Sequence, residues 1–232
     1  MVTYAQFRVN CEAVLARIRH ACSLCGRDSS TVRLLPVTKT HSVDAALYAY
    51  EFGLRAVGEN RVQEALAKRP LAPPDLRWEL IGHLQSNKAK QALQIFDVIQ
   101  SVDSIDLVKR LGRIAQELNV QRDIYIQVNA GNDPAKFGCD LSLAPALVEV
   151  ALAQPALRVI GLMAVPPLVD GLHAAERTFQ ELRLCRDALE DQFQIKLPEL
   201  SMGMSGDLEV AIAAGSTCVR VGSSLYGTRS AQ

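Results

Sequence analysis

Apolar residues recur along this chain in two patterns, short runs rich in Val and Ile and longer stretches of helical period. The first stretch, residues 3–25, predicts an amphipathic helix that ends at Gly26. The short runs predict eight strands, at residues 32–38, 55–58, 78–82, 98–102, 124–129, 159–165, 200–203 and 218–222. The stretches between them predict helices near residues 43–52, 61–69, 87–96, 104–118, 144–153, 173–192 and 207–214.

The alternation of strands and helices predicts a parallel sheet, because two neighbouring parallel strands need a crossover that a helix usually supplies. Eight such strands in 232 residues, with no linker, favour a closed barrel over an open doubly wound sheet. The proline-rich stretch 69–75 is interpreted as a loop, since the pattern resumes after it. We therefore predict one α/β domain over residues 1–232, a single (β/α)8 TIM barrel with an extra N-terminal helix, residues 1–26, packed on the barrel.

The composition narrows the class of protein. Lys and Arg together number 25, as do Asp and Glu, so no surplus of positive charge indicates a nucleic-acid partner. The sequence has no long apolar run that could span a membrane, and the N-terminus lacks the apolar core of a signal peptide, so we expect a cytoplasmic protein. Cys22 and Cys25 form a lone pair at the end of the first predicted helix, and without a second ligand pair we expect no metal site.

One lysine stands where an apolar strand ends. The stretch LLPVTKTHS, residues 34–42, runs from the first predicted strand into Lys39. A lysine usually lies in a surface loop, but in a barrel the carboxyl ends of the strands line the active site. Apolar walls lower the pKa of a lysine and make its amine a nucleophile toward aldehydes. Lys39 is therefore a candidate for Schiff-base formation.

Two loops that contain glycine follow the last two predicted strands. In LSMGMSGDLEVAIAAG, residues 200–215, Ser205 is predicted to cap a helix whose first turn includes Gly206 and Asp207. In CVRVGSSLYG, residues 218–227, the strand ends at a glycine followed by two serines. Barrels often bind phosphate in the loops after strands seven and eight, so the two loops together predict a phosphate site.

Arg220 shares one face of its strand with Gly222, because side chains alternate along a strand. It is then predicted to point into the barrel, where a guanidinium needs an acceptor, either a buried carboxylate or a ligand atom. One ligand would have to offer an aldehyde to Lys39, a phosphate to the two loops and a ring acceptor to Arg220. Pyridoxal 5′-phosphate has all three groups.

The sequence contains six blocks in a fixed order: LLPVTKTHS, FGLRAVGENRVQEAL, WELIGHLQSNKAK, VNAGNDPAKFG, IGLMAVPP and LSMGMSGDLEVAIAAGSTCVRVGSSLYG. With these blocks the chain resembles the YggS/PROSC family, the pyridoxal-phosphate homeostasis proteins, over nearly its whole length. The resemblance implies a barrel related to the N-terminal domain of bacterial alanine racemase. It also implies that pyridoxal phosphate is bound covalently to Lys39.

The same resemblance assigns further contacts with the cofactor to numbered residues. The phosphate would be held by Ser205, Gly206, Gly222 and Ser223, the pyridine nitrogen would face Arg220, and Asn60 and His83 would line the pocket. Lys136 would lie near the mouth of the pocket. One position departs from the family pattern, because a glutamate is expected in the loop where Asp133 stands, and no role is assigned to that carboxylate.

Three functions of different classes remain open on the sequence. An arginine at the ring nitrogen disfavours a pyridinium and so weakens carbanion stabilisation. The sequence stops ten residues after Gly222, so no second domain that brings a base to the far side of the ring is expected. Both points favour a non-enzymatic protein of intracellular pyridoxal-phosphate homeostasis, which holds the cofactor as a Schiff base without significant turnover. The alternatives are a pyridoxal-phosphate-dependent amino-acid racemase or lyase, with His83 as a base, and a Schiff-base aldolase acting on a sugar phosphate.

The expected partners follow from the same reasoning. Pyridoxal phosphate is the predicted ligand, and neither nucleic acid nor a membrane is expected to bind. We expect a monomer, and the sequence leaves open whether it makes transient contact with enzymes that use the cofactor.

Overall fold

The strands of this protein form a nearly closed barrel. The computed structural model describes residues 2–167 and 171–227. Its parallel strands are β1 (Arg33–Pro36), β2 (Ala56–Glu59), β3 (Arg77–Leu80), β4 (Val98–Val102), β5 (Arg122–Gln127), β6 (Leu157–Met163), β7 (Glu199–Ser201) and β8 (Cys218–Val221). They pair in the order β1-β8-β7-β6-β5-β4-β3-β2, and a bridge between Val37 and Gly58 joins the two ends of the sheet. The predicted TIM barrel is confirmed.

Helices surround this barrel and cover its outer face. They are α1 (Tyr4–Leu24), α2 (Asp44–Glu51), α3 (Val62–Lys68), α4 (Ala89–Ile95), α5 (Ile105–Glu117), α6 (Ala144–Leu152), α7 (Gly171–Phe193), α8 (Leu208–Ala213) and α9 (Ser223–Tyr226). The sequence patterns predict all of these except α9, whose four residues are too few to show a helical period. None of the helices in the described ranges combines the length and the apolar character that crossing a membrane requires.

The N-terminal helix α1 packs against the last two helices of the described chain. Its side chains Phe7, Cys11, Val14, Ile18 and Cys22 are buried, in the spacing that the apolar pattern predicts. The helix contacts α8 and α9, the two segments that follow β7 and β8. Its first turn is capped by the Thr3 hydroxyl, which accepts a hydrogen bond from the Gln6 amide at 3.3 Å.

The apolar core lies between the barrel and the helices, whereas much of the barrel interior is polar. Trp78, Phe96 and Phe179, all fully buried, belong to the outer core. Inside the barrel a small apolar cluster is formed by Val98, Tyr125 and Met163. The interior also holds buried polar side chains, which are Glu79, Gln100, Ser201 and Arg220. These polar groups are hydrogen-bonded to one another or to Arg33, which offsets the cost of removing them from water.

Strand β1 carries Lys39 to the upper end of this interior. The strand starts at Arg33, whose guanidinium reaches Glu79 inside the barrel. Side chains on a strand alternate, so Leu35 and Val37 face the same way, and Val37 lies in contact distance of Gly222 on the neighbouring strand. Continuing the alternation brings Lys39 to the carboxyl-end mouth, as the sequence predicts.

Candidate functional site

The carboxyl ends of the strands surround a cavity of about 570 Å³. Its lining includes six of the eight cofactor residues predicted from the sequence, which are Lys39, Ser205, Gly206, Arg220, Gly222 and Ser223. Val37, Ile81 and Pro166 supply apolar walls, and within the described residues His41 and Asp207 are the remaining ionisable groups of the lining. The volume lies in the range of roughly 300–1,000 Å³ that small-molecule sites occupy.

Lys39 stands in a turn that hydrogen bonds hold from both sides. Before the lysine, the Thr38 hydroxyl donates to Glu59 Oε1 at 2.6 Å, and the Thr38 carbonyl accepts from Lys68 Nζ at 2.9 Å. After it, the Thr40 amide donates to Glu64 Oε2 at 2.7 Å. Thr40 has a φ of 65°, a left-handed conformation that a threonine adopts at a cost of about 1–3 kcal/mol. The backbone on either side of Lys39 is therefore fixed.

The ion pair beneath this turn is not predicted by the sequence patterns. Lys68 Nζ lies 2.7 Å from Glu59 Oε1, and the Glu59 side chain is completely buried. Burial raises the pKa of Glu59, against the opposing effects of Lys68 and Thr38, and its Oε2 has no hydrogen-bond partner among the described residues. A hint was available in α3, where Val62, Ala65 and Lys68 share a three-residue spacing and are all buried. A lysine on the apolar face of a helix implies a buried partner.

The loops after β7 and β8 meet across the cavity. The hydroxyl of Ser223 lies 3.1 Å from that of Ser205, and the Ser224 amide lies 3.4 Å from Ser205 Oγ. At Gly222 a Cβ atom would come within 3.3 Å of the Val37 carbonyl oxygen, so a glycine lets the two strand ends pack closely. The phosphate residues predicted from two separate stretches of sequence thus lie side by side.

The start of α8 differs from the prediction. The helix begins at Leu208 and its N-cap is Asp207, so the prediction that Ser205 caps it is wrong. The loop turns back on itself, because the Asp207 carboxylate accepts a hydrogen bond from the Met204 amide. This turn leaves the Ser205 hydroxyl outside the helix and beside Ser223.

Arg220 lies inside the barrel, as its place on β8 predicts, and the residue is 4% exposed. Its acceptors among the described residues are a hydroxyl and two backbone carbonyls, and the expected buried carboxylate is not among them. Nη1 donates to the Ser201 carbonyl at 2.6 Å and to the Ser201 hydroxyl at 2.7 Å, and Nη2 donates to the Ala164 carbonyl at 2.8 Å. Strand β7 ends at Ser201 and β6 ends one residue before Ala164, so both acceptor carbonyls lie where these strands finish beside the guanidinium. Burial lowers the pKa of Arg220, although the neighbouring Cys218 and Asp207 oppose this.

Asn60 and His83 lie at strand ends but outside the cavity lining of the described residues. Asn60 follows β2, and its backbone packs so tightly on Gly82 that a Cβ there would lie 2.3 Å from the Asn60 carbonyl oxygen. His83 Nδ1 lies 3.4 Å from Asp103 Oδ2, and its ring stacks on Phe137 at 4.0 Å. Burial raises the pKa of Asp103, and His83 opposes this. Contact of Asn60 and His83 with the cofactor stays a prediction.

The loop after β5 contains Lys136 and Asp133. The Asp133 carboxylate accepts a hydrogen bond from the Ala135 amide at 2.9 Å, and the Asp133 backbone carbonyl accepts one from the Lys136 amide at 2.9 Å. The carboxylate that replaces the expected glutamate therefore shapes its own turn. In the described part of the chain no cluster of three or more His, Cys, Asp or Glu side chains could hold a metal ion.

The fold and the site together define a barrel of the alanine racemase N-terminal type. The family model described as alanine racemase, N-terminal domain, matches residues 9–230. The alanine racemase of Clostridium difficile has the same fold, with a TM-score of 0.78 over 98% of this chain and 58% of that chain. Its sequence is only 14% identical, so the likeness concerns the fold alone.

Curated relatives match the chain over nearly its whole length. A pyridoxal phosphate homeostasis protein of Aquifex aeolicus is 39% identical over 93% of this chain and 95% of the relative. One of Pseudomonas aeruginosa is 41% identical over 95% and 94%. The structure of PipY from Synechococcus elongatus with PLP bound superposes with a TM-score of 0.81 at 39% identity, over 91% of this chain and 100% of that one. The chain belongs to the family of pyridoxal phosphate homeostasis proteins, which confirms the resemblance drawn from the six sequence blocks.

Proposed function

We propose that this protein takes part in intracellular pyridoxal-phosphate homeostasis and holds the cofactor as a Schiff base on Lys39 without significant turnover. The observation that carries the proposal is the cavity at the carboxyl ends of the strands. It brings together the Lys39 amine, the Ser205 and Ser223 hydroxyls and the Arg220 guanidinium. The names of the curated relatives and the PLP-bound PipY structure support the same cofactor.

The donor set of the cavity fits the cofactor group by group. The paired hydroxyls of Ser205 and Ser223, with the Ser224 amide close by, suit phosphate oxygens, which only accept hydrogen bonds. Arg220 has five N–H groups and uses both terminal nitrogens for protein acceptors, yet it still lines the cavity and can donate toward a ring nitrogen. Apolar walls from Val37 and Ile81 suit an aromatic ring.

Lys39 would supply the covalent attachment. Its amine nitrogen forms a C=N bond with the aldehyde carbon, and the aldehyde oxygen leaves as water. The fixed turn around Lys39 directs the side chain into the cavity and so lowers the entropy cost of the reaction. When bound, the cofactor supplies an electron sink for carbanions, and Arg220 weakens that sink because a guanidinium cannot protonate the ring nitrogen.

Absence of turnover is the finer part of the proposal. Racemisation needs a second base opposite the lysine, and His83, which the sequence suggested, lies outside the cavity lining of the described residues. His41 does line the cavity, with its ring 5.1 Å from that of Tyr226. This observation keeps an amino-acid racemase or lyase as the second candidate, with His41 as the group to test.

Borohydride reduction tests the attachment. Purified protein loaded with pyridoxal phosphate should lose its visible absorption band on reduction, and peptide mapping should find the pyridoxyl mass on Lys39. Lys39→Ala should lack the band and keep the wild-type melting temperature, since a side chain at the barrel mouth contributes little packing. Lys136→Ala, which removes a lysine in the loop after β5, is the matched control and should keep both band and label. Label on another lysine in the wild type contradicts the assignment.

Incubation with L-amino acids in deuterated water tests turnover. We expect exchange of the α-proton, loss of chirality and release of CO₂ to be far slower than ordinary enzyme rates, which are on the order of 1–10³ per second. If the wild type turns over at such rates and His41→Gln abolishes this turnover, the racemase or lyase alternative is established. Slow exchange that Lys39→Ala removes is residual chemistry of the bound cofactor and agrees with the proposal.

A further inference from the structure

A continuous line of hydrogen bonds crosses the barrel interior from the amino-end mouth to the candidate cofactor site. Arg220 Nη1 donates to Ser201 Oγ at 2.7 Å, and Ser201 Oγ lies 2.5 Å from Gln100 Oε1. Gln100 Nε2 lies 2.5 Å from Glu79 Oε2, and Glu79 accepts two bonds from Arg33 at 2.8 and 3.1 Å. We refer to these five side chains as the interior relay. Ser201 and Gln100, at its centre, are both completely buried.

The charged groups at the two ends fix the direction of each bond in the interior relay. A carboxylate paired with arginine only accepts, so Gln100 presents its NH₂ to Glu79 and its carbonyl oxygen to Ser201. The Ser201 hydroxyl then donates to Gln100 and keeps its lone pairs for the guanidinium of Arg220. The three bonds from Arg220 to Glu79 therefore all point toward the carboxylate, which Arg33 meets from the other side. Bonds aligned in this way polarise one another, so each strengthens the next.

Among the contacts of Arg220, the bond to the Ser201 hydroxyl is the adjustable one. Its other protein acceptors in the described residues are the backbone carbonyls of Ser201 and Ala164, which β7 and β6 hold in place. A hydroxyl rotates freely unless its hydrogen has a fixed acceptor. Gln100 supplies that acceptor, so it keeps the hydrogen of the hydroxyl turned away from the Arg220 guanidinium, which can only donate.

We propose that Gln100 is a positioning residue of the cofactor site, which holds Arg220 in the orientation that meets the ring nitrogen of bound pyridoxal phosphate. The inference rests on the proposed function, because Arg220 is assigned to the ring nitrogen there. Among the described residues Gln100 is absent from the cavity lining, so it acts through Ser201 and Arg220. Its effect should therefore concern one contact and leave the size of the site unchanged.

The test compares two ligands on variants that cut the interior relay. Gln100→Met keeps a similar volume and removes both hydrogen bonds, and Ser201→Ala removes the next link. One ligand is pyridoxal phosphate, and the other is its 1-deaza analogue, whose ring carries carbon in place of nitrogen and cannot accept from Arg220. Each variant should weaken pyridoxal phosphate binding about two- to tenfold, the effect of one hydrogen bond, and leave binding of the analogue unchanged.

Gln127→Met is the matched control. Gln127 is another buried glutamine, 5% exposed, and its amide donates to the Phe137 carbonyl at 3.0 Å, outside the interior relay. This variant should leave the ratio of the two dissociation constants at the wild-type value. If Gln100→Met weakens the binding of both ligands equally, or of neither, the ratio of the two dissociation constants stays unchanged. The positioning role is then rejected, and Gln100 is a packing residue.

A second measurement needs no cofactor. Rotation about the Nε–Cζ bond of Arg220, followed by NMR in the unloaded protein, should be faster in Gln100→Met and Ser201→Ala than in wild type or Gln127→Met. If Gln100→Met fails to fold, Ser201→Ala alone decides. Faster rotation in the variants, with no pyridoxal phosphate binding to wild type, rejects the proposed function and with it the role toward a ring nitrogen, and shows only that Gln100 orients Arg220. Binding to wild type with unchanged rotation in the variants rejects the positioning role.

Discussion

The two mouths of the barrel differ in how their polar groups are used. The carboxyl-end cavity is lined by glycines, serine hydroxyls, a lysine and a buried arginine. The amino-end cavity is larger, about 860 Å³, and its lining includes five cationic side chains, which are Arg33, Arg55, Arg77, Arg158 and Lys196, and three acidic ones, Glu79, Asp123 and Glu199. Volume and charge alone would favour the amino end as the functional site.

The hydrogen bonds and ion pairs at the two mouths instead indicate that the functional site lies at the carboxyl end. At the amino end Arg33 pairs with Glu79 at 2.8 Å, and Arg158 pairs with Asp123 at 2.7 Å. The Tyr125 hydroxyl accepts from Arg33 and donates to Glu199, and burial raises the pKa of this phenol. These groups therefore satisfy one another. At the carboxyl end the hydroxyls of Ser205 and Ser223 have only each other as side-chain partners in the described chain, so they can serve a ligand.

The largest expected effect is a loss of stability when a buried ion pair at the amino-end mouth is broken. Arg33→Met leaves the Glu79 carboxylate, 3% exposed, with only the Gln100 amide as a hydrogen-bond partner among the described residues. Breaking a buried pair in this way should lower the free energy of unfolding by about 3 kcal/mol. Urea denaturation monitored by circular dichroism measures the loss.

Arg158→Met is the control for this prediction. Arg158 belongs to the same mouth, but its side chain is 74% exposed. An exposed ion pair is worth little, so this variant should lose about 0.5 kcal/mol or less. Equal losses in the two variants would show that the amino end does not depend on its buried pair.

Removal of the serine hydroxyls that we propose bind the phosphate should lower the affinity for the cofactor and leave the stability of the fold unchanged. A bond from a neutral donor to a charged phosphate is worth about 1.5–3 kcal/mol, so Ser205→Ala or Ser223→Ala should weaken pyridoxal phosphate binding roughly ten- to a hundredfold. Fluorescence titration of each variant measures the dissociation constant. Pyridoxal without phosphate should bind the wild type much more weakly than the phosphorylated form.

The neighbouring serine provides the control. Ser224 follows Ser223 directly, yet within the described residues it lies outside the cavity lining, so Ser224→Ala should bind pyridoxal phosphate as the wild type does. Equal affinity of the wild type for pyridoxal and pyridoxal phosphate would mean that these loops bind something else.

Local sequence signals predict those parts of the site that depend on the position of a residue along its own strand. Lys39 could be placed because it lies at the end of an apolar run, and Arg220 because it lies within a strand, two residues before Gly222, where alternation gives its direction. The strands themselves were predictable for the same reason. Their boundaries shifted by a residue or two, as at β5, where residues 124–129 were predicted and Arg122–Gln127 form the strand.

Hydrogen-bond partners across the barrel could not be predicted in the same way. Gln100 and Ser201 are 101 residues apart and meet because β4 and β7 face the same interior. The acceptors of Arg220 and the ion pair of Glu59 with Lys68 depend on similar encounters. The cap of α8 was wrong for a more local reason, since both Ser205 and Asp207 suit an N-cap and only the turn decides between them.

The smallest predicted effect concerns how α1 supports the carboxyl-end mouth from outside. Arg17 donates to Glu209 at 2.7 and 2.9 Å, and its Nη2 also donates to the Ser205 carbonyl at 3.1 Å. The two side chains are 37% and 46% exposed, so the pair should contribute less than about 1 kcal/mol. Arg17→Ala should therefore lower the free energy of unfolding slightly. It should weaken pyridoxal phosphate binding less than Ser205→Ala does.

The pH dependence of this small loss identifies its source. The hydrogen bond from Arg17 lowers the pKa of Glu209 below its ordinary value of 4.5, while partial burial opposes the shift. A carboxyl group whose pKa is lowered by folding binds fewer protons in the folded state, so it adds stability above pH 4.5, and the gain disappears as the pH falls through the folded-state pKa. The difference between wild type and Arg17→Ala should thus be full at pH 7 and shrink below pH 4.5, whereas Arg19→Ala, an exposed arginine on the same helix, should show no such trend. A difference that persists unchanged in acid would mean that Arg17 stabilises the helix through packing or through the Ser205 carbonyl, and that the ion pair contributes nothing measurable.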